Sequence, residues 1–188
     1  MILRPRLRKF ALAAHVVSSV GWLGAVGVFL ALSVLGLTSQ DAPTVRGAYL
    51  AMEAIGWFVL VPLSLASLLT GLVQGLGTKW GLLRHYWVVV KLVINLVATV
   101  VLLLYMQTLS YLGGVAAETS AESLSELQNP SPVLHAGAAL LLLLGAATLS
   151  VYKPRGMTRR GQRKQNEQRA AAVTGATSRG RPRASESS

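Results

Sequence analysis

The sequence predicts an all-α membrane protein: an antiparallel bundle of four transmembrane helices followed by a disordered, basic C-terminal tail. Hydrophobic residues make up 52% of the chain and charged residues only 13%, whereas a typical globular domain has about 25% charged residues. Four stretches contain no Asp, Glu, Lys or Arg, and each exceeds the ~20 residues that cross a hydrocarbon core. These stretches are Phe10–Leu37, Ala54–Gly77, Leu92–Ala117 and Leu127–Tyr152.

The positive charges lie on alternate sides of these stretches. Of the 18 Lys and Arg residues, 16 precede the first predicted span (10–34), separate the second (49–76) from the third (86–110), or follow the fourth (132–152). The positive-inside rule places those segments, and therefore both termini, in the cytoplasm. We expect a multi-pass protein of the bacterial inner membrane. Topology accounts for the net charge of +11, so we expect contact with the lipid bilayer and its anionic cytoplasmic headgroups, and no nucleic acid partner.

The chain divides into a basic cytoplasmic N-terminus (1–9), a transmembrane domain (10–152) and a tail (153–188). The tail has few large apolar residues and cannot bury a core, so we expect it to be disordered. The first apolar run is too long for the central region of a signal peptide, which predicts an uncleaved first helix. The chain has no cysteine, which excludes disulfides, thiolate metal sites and covalent haem attachment. The four spans are predicted at 10–34, 49–76, 86–110 and 132–152.

The first span carries a polar stripe. Its members His15, Ser18, Ser19 and Trp22 follow a spacing of i, i+3, i+4 and i+7, which places them on one helix face. Polar side chains in a transmembrane helix are expected to face the other helices of the bundle rather than lipid. The stripe therefore predicts the inward face of the first span.

Each later span also carries polar or special residues. The second has Glu53 near its outer end and Pro62 near its middle, where a kink is expected. In the third span, Lys91 and Asn95 are one turn apart on one face, and His135 lies near the outer end of the fourth. A lysine at membrane depth is costly, so it marks a site if it faces inward.

Depth separates these residues into two clusters. At 1.5 Å per residue, His15 and Lys91 lie at a similar depth near the cytoplasmic side, whereas His135 lies near the outer side. His15 and His135 are on the order of 15 Å apart along the membrane normal, so they do not share a metal. The inner cluster is expected to combine His15, Ser18, Ser19, Lys91, Asn95 and either Gln74 or His85. The outer cluster is expected to pair Glu53 with His135.

Each of these residues also has a purely structural interpretation. A transmembrane histidine can simply bond a neighbouring helix, and Lys91 can extend its ammonium to the cytoplasmic interface. Ser18 and Ser19 can bond their own helix backbone. Glu53 can reach the outer headgroups.

Two segments resemble known bacterial membrane proteins. The segment His15–Gly24, HVVSSVGWLG, resembles the first-helix motif of a small four-helix group that includes the copper-resistance protein D family and a bacterial protoporphyrinogen oxidase. Lys91 matches a lysine early in the third helix of that oxidase. The segment Gly71–Trp87, GLVQGLGTKWGLLRHYW, is similar to an uncharacterised membrane family, the DUF2269-like proteins. In the oxidase the histidine and lysine are haem or porphyrin site residues, which the resemblance implies for His15 and Lys91.

Two function hypotheses follow. In the first, the chain is a membrane protein that is not catalytic by itself, and its polar clusters serve packing. In the second, it binds haem b as a membrane redox protein, with His15 as iron ligand and Lys91, Trp22 and Asn95 around the cofactor. If the chain is an enzyme, this hypothesis makes it a membrane oxidoreductase. The sequence predicts no certain cofactor and leaves the oligomeric state and any protein partner open.

Overall fold

The computed structural model describes residues 4–77, 86–118 and 125–152, together with positions 158, 162–163, 166–167 and 170–171. The described chain contains four long helices and no strand, and all four are long and apolar enough to cross a membrane. The predicted all-α, four-span architecture is confirmed. Helix α1 is Pro5–Thr38, α2 runs from Ala42 to Gly77, α3 is Tyr86–Ala117 and α4 is Ser131–Tyr152.

The helices are longer than the predicted spans, mainly on the side predicted to lie outside. Helix α1 has 34 residues and α3 has 32, so each exceeds the about 30 Å hydrocarbon core by several turns. Helix α2 begins at Ala42 instead of residue 49 because Asp41 caps it, accepting a hydrogen bond from the Thr44 amide at 3.1 Å. A proline inside the first turn of α2 also favours this start.

Pro62 changes the winding of α2 in the turn before it. Residues Ala42–Ile55 and Val61–Gly77 are α-helical, whereas Gly56–Leu60 form one π-helical turn. The Val61 amide donates to the Gly56 carbonyl, five residues back. Proline cannot donate a backbone hydrogen bond and its ring crowds the preceding turn, and a π-turn is one way to absorb that conflict. The expected disturbance at Pro62 is therefore a local widening of the helix.

The four helices pack in chain order around a square. Helix α1 packs against α2 and α4, and α3 packs against the same two helices. Helices α1 and α3 therefore occupy opposite corners. Short connections between antiparallel neighbours produce this arrangement. Large apolar side chains such as Phe58, 82% exposed, and Val17, 71% exposed, cover the outside, as expected for a surface that faces lipid.

The end of the bundle that is predicted to lie outside has a tightly packed apolar core. Tyr49 and Met52 of α2 and Met106 and Leu109 of α3 are almost fully buried. The Tyr49 hydroxyl donates to the Leu127 carbonyl, which fastens the segment before α4 to α2. These four residues lie at the outer ends of the predicted spans 49–76 and 86–110.

The predicted disorder of the tail and the loop between α2 and α3, which includes His85, lie outside the described residues. In the few described tail positions, the Arg163 guanidinium lies 3.2 Å from the Glu167 carboxylate. Both side chains are exposed, so this pair contributes little to stability.

Candidate functional site

The inner polar cluster is centred on Ser67 of α2, a residue that the sequence analysis did not single out. The Ser67 side chain is buried, and its hydroxyl oxygen lies 2.8 Å from the Ser19 hydroxyl of α1. The Asn95 amide of α3 donates to the same oxygen at 3.3 Å. One serine therefore connects three helices at one level of the bundle.

His15 of α1 is fastened to α2 through one ring nitrogen. Its Nδ1 lies 3.1 Å from the Ser67 carbonyl oxygen and 3.1 Å from the Thr70 hydroxyl. A carbonyl oxygen can only accept, so Nδ1 carries a proton; in the neutral ring Nε2 then holds the lone pair. Gly71 permits this close approach, because a Cβ atom there would lie 3.2 Å from the imidazole Cε1.

Lys91 of α3 reaches across to α4. Its ammonium donates to the Ser150 hydroxyl at 2.5 Å, and that hydroxyl donates to the Ala146 carbonyl at 2.9 Å. Lys91 is half-buried and faces the bundle. The structure thus gives Lys91 a partner on α4, while Asn95, one turn further, contacts α2.

Of two further residues expected in the inner cluster, Gln74 links two helices and Ser18 does not. The Gln74 amide donates to the Ala11 carbonyl of α1 at 3.2 Å, which adds a further link between α1 and α2. Ser18 is buried, but its hydroxyl donates to the His15 carbonyl of its own helix at 3.1 Å. Ser18 therefore has the local role that hydroxyl residues often have in helices, and it takes no part in the links between helices.

The structure does not bring Glu53 and His135 together. His135 Nδ1 lies 2.9 Å from the Ser131 carbonyl of its own helix, and the ring stacks on Tyr105 with 4.1 Å between centroids. Glu53 packs instead against Gly113, where an added Cβ would overlap its carboxylate. Tyr105 and Gly113 are eight residues apart on α3, which is about 12 Å. The expected outer pair is therefore wrong.

The physical reason is that α2 and α3 extend past the outer end of α4. The sequence analysis measured depth from the outer ends of the uncharged stretches, which placed Glu53 and His135 at one level. In the structure, the outer ends of α2 and α4 lie at different heights. Glu53 lies about two helical turns beyond the level of His135.

Trp22 is also separate from the inner cluster. It lies two turns beyond His15 on α1, is only 2% exposed, and lines a cavity in the middle of the bundle. The residues first grouped as one haem site thus divide, with His15, Lys91 and Asn95 at the inner level and Trp22 above it.

The cavity has a volume of about 120 Å³. An apolar cavity of about 150 Å³ lined by Leu, Ile and Phe is large enough to bind benzene, and ligand pockets in proteins are mostly apolar. The walls match that description and include Trp22, Phe29, Leu60, Ala98, Tyr105 and His135. All four helices contribute to it.

One polar group in the cavity wall is unsatisfied. The Trp22 indole Nε1 is buried and has no hydrogen-bond partner within the described part of the chain; the Thr99 hydroxyl is the other such atom, and Thr99 is not part of the wall. A buried donor without an acceptor costs about 1–3 kcal/mol. Less than 1 Å² of this nitrogen is accessible, so the donor is enclosed by the protein rather than open to the cavity.

Sequence reasoning missed Ser67 and the cavity. A signal for Ser67 was present, since Ser64, Ser67, Gly71 and Gln74 follow a spacing of 3, 4 and 3, which marks one face of α2. The cavity has no such signal because it depends on how side chains of different helices fill space together. No group of three His, Cys, Asp or Glu side chains suited to a metal ion occurs in the described ranges.

Comparisons with protein-family models, with curated proteins and with solved structures found no match to this chain.

Proposed function

We propose that this protein is a membrane-embedded binding protein that takes a small lipid-soluble molecule into the cavity of its helix bundle. The observation that carries the proposal is the apolar cavity of about 120 Å³ to which all four helices contribute. Close packing is the rule in protein interiors, and voids larger than a water molecule are few. A cavity of this size is expected to be filled by a ligand or by lipid.

The inner cluster supports this function by holding the helices in place below the cavity. Its hydrogen bonds join α1 to α2, α2 to α3, and α3 to α4. In lipid no hydrophobic effect drives helices together, so hydrogen bonds between helices have a larger share in setting their arrangement. This assignment agrees with a protein that is not catalytic by itself.

The binding proposal is tested with a flat hydrocarbon, 2-methylnaphthalene, in lipid nanodiscs. Saturable binding above that of protein-free nanodiscs is expected, with one site per chain. The variant Ala139→Phe fills the cavity from α4 and should abolish the saturable part. The control Ala147→Phe adds the same ring to an exposed position of α4 outside the cavity wall and should leave it unchanged. Equal binding by both variants would refute the proposal.

Haem b binding through His15 is the second candidate. The observation that favours it is the hydrogen bond from Nδ1 to the Ser67 carbonyl, because metal-bound histidines commonly donate their other ring nitrogen in this way. The space around His15 suits a haem less well than its Nδ1 hydrogen bond does. The cavity begins at Trp22, about 10 Å further along α1, and Gly71 lies tightly against the imidazole. A Soret band in purified protein that is lost in His15→Ala would establish this candidate.

We also propose that the protein lies in the bacterial inner membrane with both termini in the cytoplasm and its basic tail near anionic lipids. The partition of 16 of 18 Lys and Arg residues supports this orientation. Since the chain has no native cysteine, single cysteines can be placed at Gln128, expected outside, and at Ser178, expected inside. An impermeant thiol reagent added to intact cells should label only Gln128→Cys. Labelling at Ser178→Cys alone would reverse the orientation.

A further inference from the structure

We infer that the occupant of the cavity is the terminal part of an acyl chain of a membrane lipid, which enters sideways from the middle of the bilayer between α3 and α4. This inference rests on the proposed function, since it names the ligand class of the same cavity. Three observations carry it: an opening between two helices, the depth of that opening, and the apolar chemistry of the wall.

The cavity opens between α3 and α4. Its wall residues from α1 and α2, such as Val26 and Leu60, are buried, whereas the exposed ones come from α3 and α4. Val97 is 48% exposed, Val101 45% and Leu142 42%. All three lie inside helices long and apolar enough to span a membrane. A molecule therefore reaches the cavity from lipid, where these two helices meet.

The opening lies near the middle of the bilayer. At 1.5 Å per residue, Leu142 lies about 16 Å from Ser131 and about 15 Å from Tyr152, the two ends of α4. Val97 and Val101 lie on either side of the centre of the predicted third span. Since the hydrocarbon core is about 30 Å thick, its centre is about 15 Å from either surface. Lipid headgroups stay at the surfaces, so the part of a lipid that reaches this depth is the end of an acyl chain.

The wall of the cavity suits a hydrocarbon chain. Apart from His135, every described residue that lines it is aliphatic or aromatic. The His135 Nδ1 lies 2.9 Å from the Ser131 carbonyl oxygen, the Tyr105 hydroxyl lies 3.4 Å from the Ser131 hydroxyl, and the Trp22 nitrogen is enclosed by the protein. Side chains around an empty space lose van der Waals contacts, and methylene groups would restore them.

The size of the cavity fits the end of a chain rather than a whole lipid. Its volume is about 120 Å³, whereas an apolar cavity of about 150 Å³ binds benzene. A chain end is narrow and stays continuous with the rest of the lipid outside the mouth. Only its last few carbon atoms must enter, so the lipid remains in the bilayer.

The test uses a phosphatidylcholine with a photoactivatable diazirine on the last carbons of one acyl chain, in lipid nanodiscs, and maps the labelled residues by mass spectrometry. The far wall of the cavity is formed by Val26 and Phe29 of α1 and Leu60 of α2, each at most 5% exposed. The far wall should be labelled in wild-type protein, together with lipid-facing residues such as Phe58. A matched probe with its diazirine next to the ester group should not label the far wall. A far wall without label from the terminal probe, in protein whose Phe58 is labelled, would overturn the inference.

Two variants show whether the labels arise inside the cavity. Ala139→Phe fills the cavity from α4 and should remove the far-wall labels, while Phe58, 82% exposed on the outside, stays labelled. Ala147→Phe adds the same ring outside the cavity wall and should leave both sets of labels unchanged. Far-wall labels that persist in Ala139→Phe would show that the chain reaches these residues by another route, and would overturn the inference as stated.

The outcomes separate the acyl chain from the binding function. Saturable binding of 2-methylnaphthalene without far-wall labels would overturn the acyl-chain assignment and leave the binding proposal standing. Far-wall labels that disappear when 2-methylnaphthalene is added would support both proposals, because the two molecules then compete for one cavity. Absence of both far-wall labels and saturable binding would end both proposals.

Discussion

The Lys91 ammonium of α3 donates to the Ser150 hydroxyl of α4 at 2.5 Å. The contact lies at the end of the bundle predicted to face the cytoplasm, and it gives a half-buried lysine in a transmembrane helix a partner on the next helix. A lysine at this depth has two ways to limit the cost of burial, which are to extend to the interface or to pair inside the bundle. The structure shows pairing.

Loss of the Ser150 hydroxyl should therefore destabilise the protein by about 1–2 kcal/mol, because the ammonium loses this hydrogen bond. The single variants Ser150→Ala and Lys91→Met and their combination form a double-mutant cycle, read by reversible unfolding in mixed micelles. The combined loss should be smaller than the sum by about 1 kcal/mol. Thr148→Ala is the matched control, since that exposed hydroxyl bonds the Leu144 carbonyl of its own helix. Additive losses of unfolding free energy in the two single variants would show that Lys91 and Ser150 are not energetically coupled.

Ser67 should matter more for stability than Ser64, although both hydroxyls are buried on the same helix. Ser67 connects to Ser19 and Asn95 on other helices, whereas Ser64 donates to the Val61 carbonyl of α2 itself. Hydrogen bonds between transmembrane helices average about 0.6 kcal/mol each, so Ser67→Ala should cost about 1–2 kcal/mol. Ser64→Ala should cost less than about 0.5 kcal/mol.

The comparison is made by unfolding both variants under the same conditions. Equal losses for the two alanine variants would mean that the links between helices at Ser67 add nothing beyond the burial of a hydroxyl. A larger loss at Ser64 would contradict the assignment of Ser67 as the centre of the inner cluster.

Most of the fold could be predicted from the sequence because the length of an uncharged stretch can be compared directly with the thickness of the hydrocarbon core. The inward faces of His15 and Asn95 followed from the same physics, since polar groups in lipid seek partners on neighbouring helices. Ser67 is a single hydroxyl among apolar residues, and its spacing from Gln74 is a weak signal by itself. The cavity and the separation of Glu53 from His135 depend on packing and on helix ends, which local patterns do not determine.

Gly36 should tolerate no side chain, whereas Gly27 on the same helix should accept one. A Cβ at Gly36 would lie 3.0 Å from the Tyr49 ring, which cannot easily move because its hydroxyl bonds the Leu127 carbonyl. Nothing lies within 4 Å of a Cβ at Gly27. Gly36→Ala should therefore destabilise by about 1–3 kcal/mol, and Gly27→Ala should be neutral or stabilising, up to about 1 kcal/mol. Unchanged stability in Gly36→Ala would show that α1 and α2 can separate at their outer ends without cost.

Glu53 and His135 should behave as independent residues. Glu53 packs against Gly113, and His135 bonds Ser131 and stacks on Tyr105, so the two share no contact on the described helices. Changes in unfolding free energy for Glu53→Gln and His135→Gln should add within about 0.5 kcal/mol in the double variant. The pair His135→Gln and Tyr105→Leu serves as the positive control, because stacked rings are coupled by about 0.5–1.5 kcal/mol. Clear coupling between Glu53 and His135, as large as that of the stacked pair, would place the two side chains at one level of the bundle and contradict the different heights of α2 and α4.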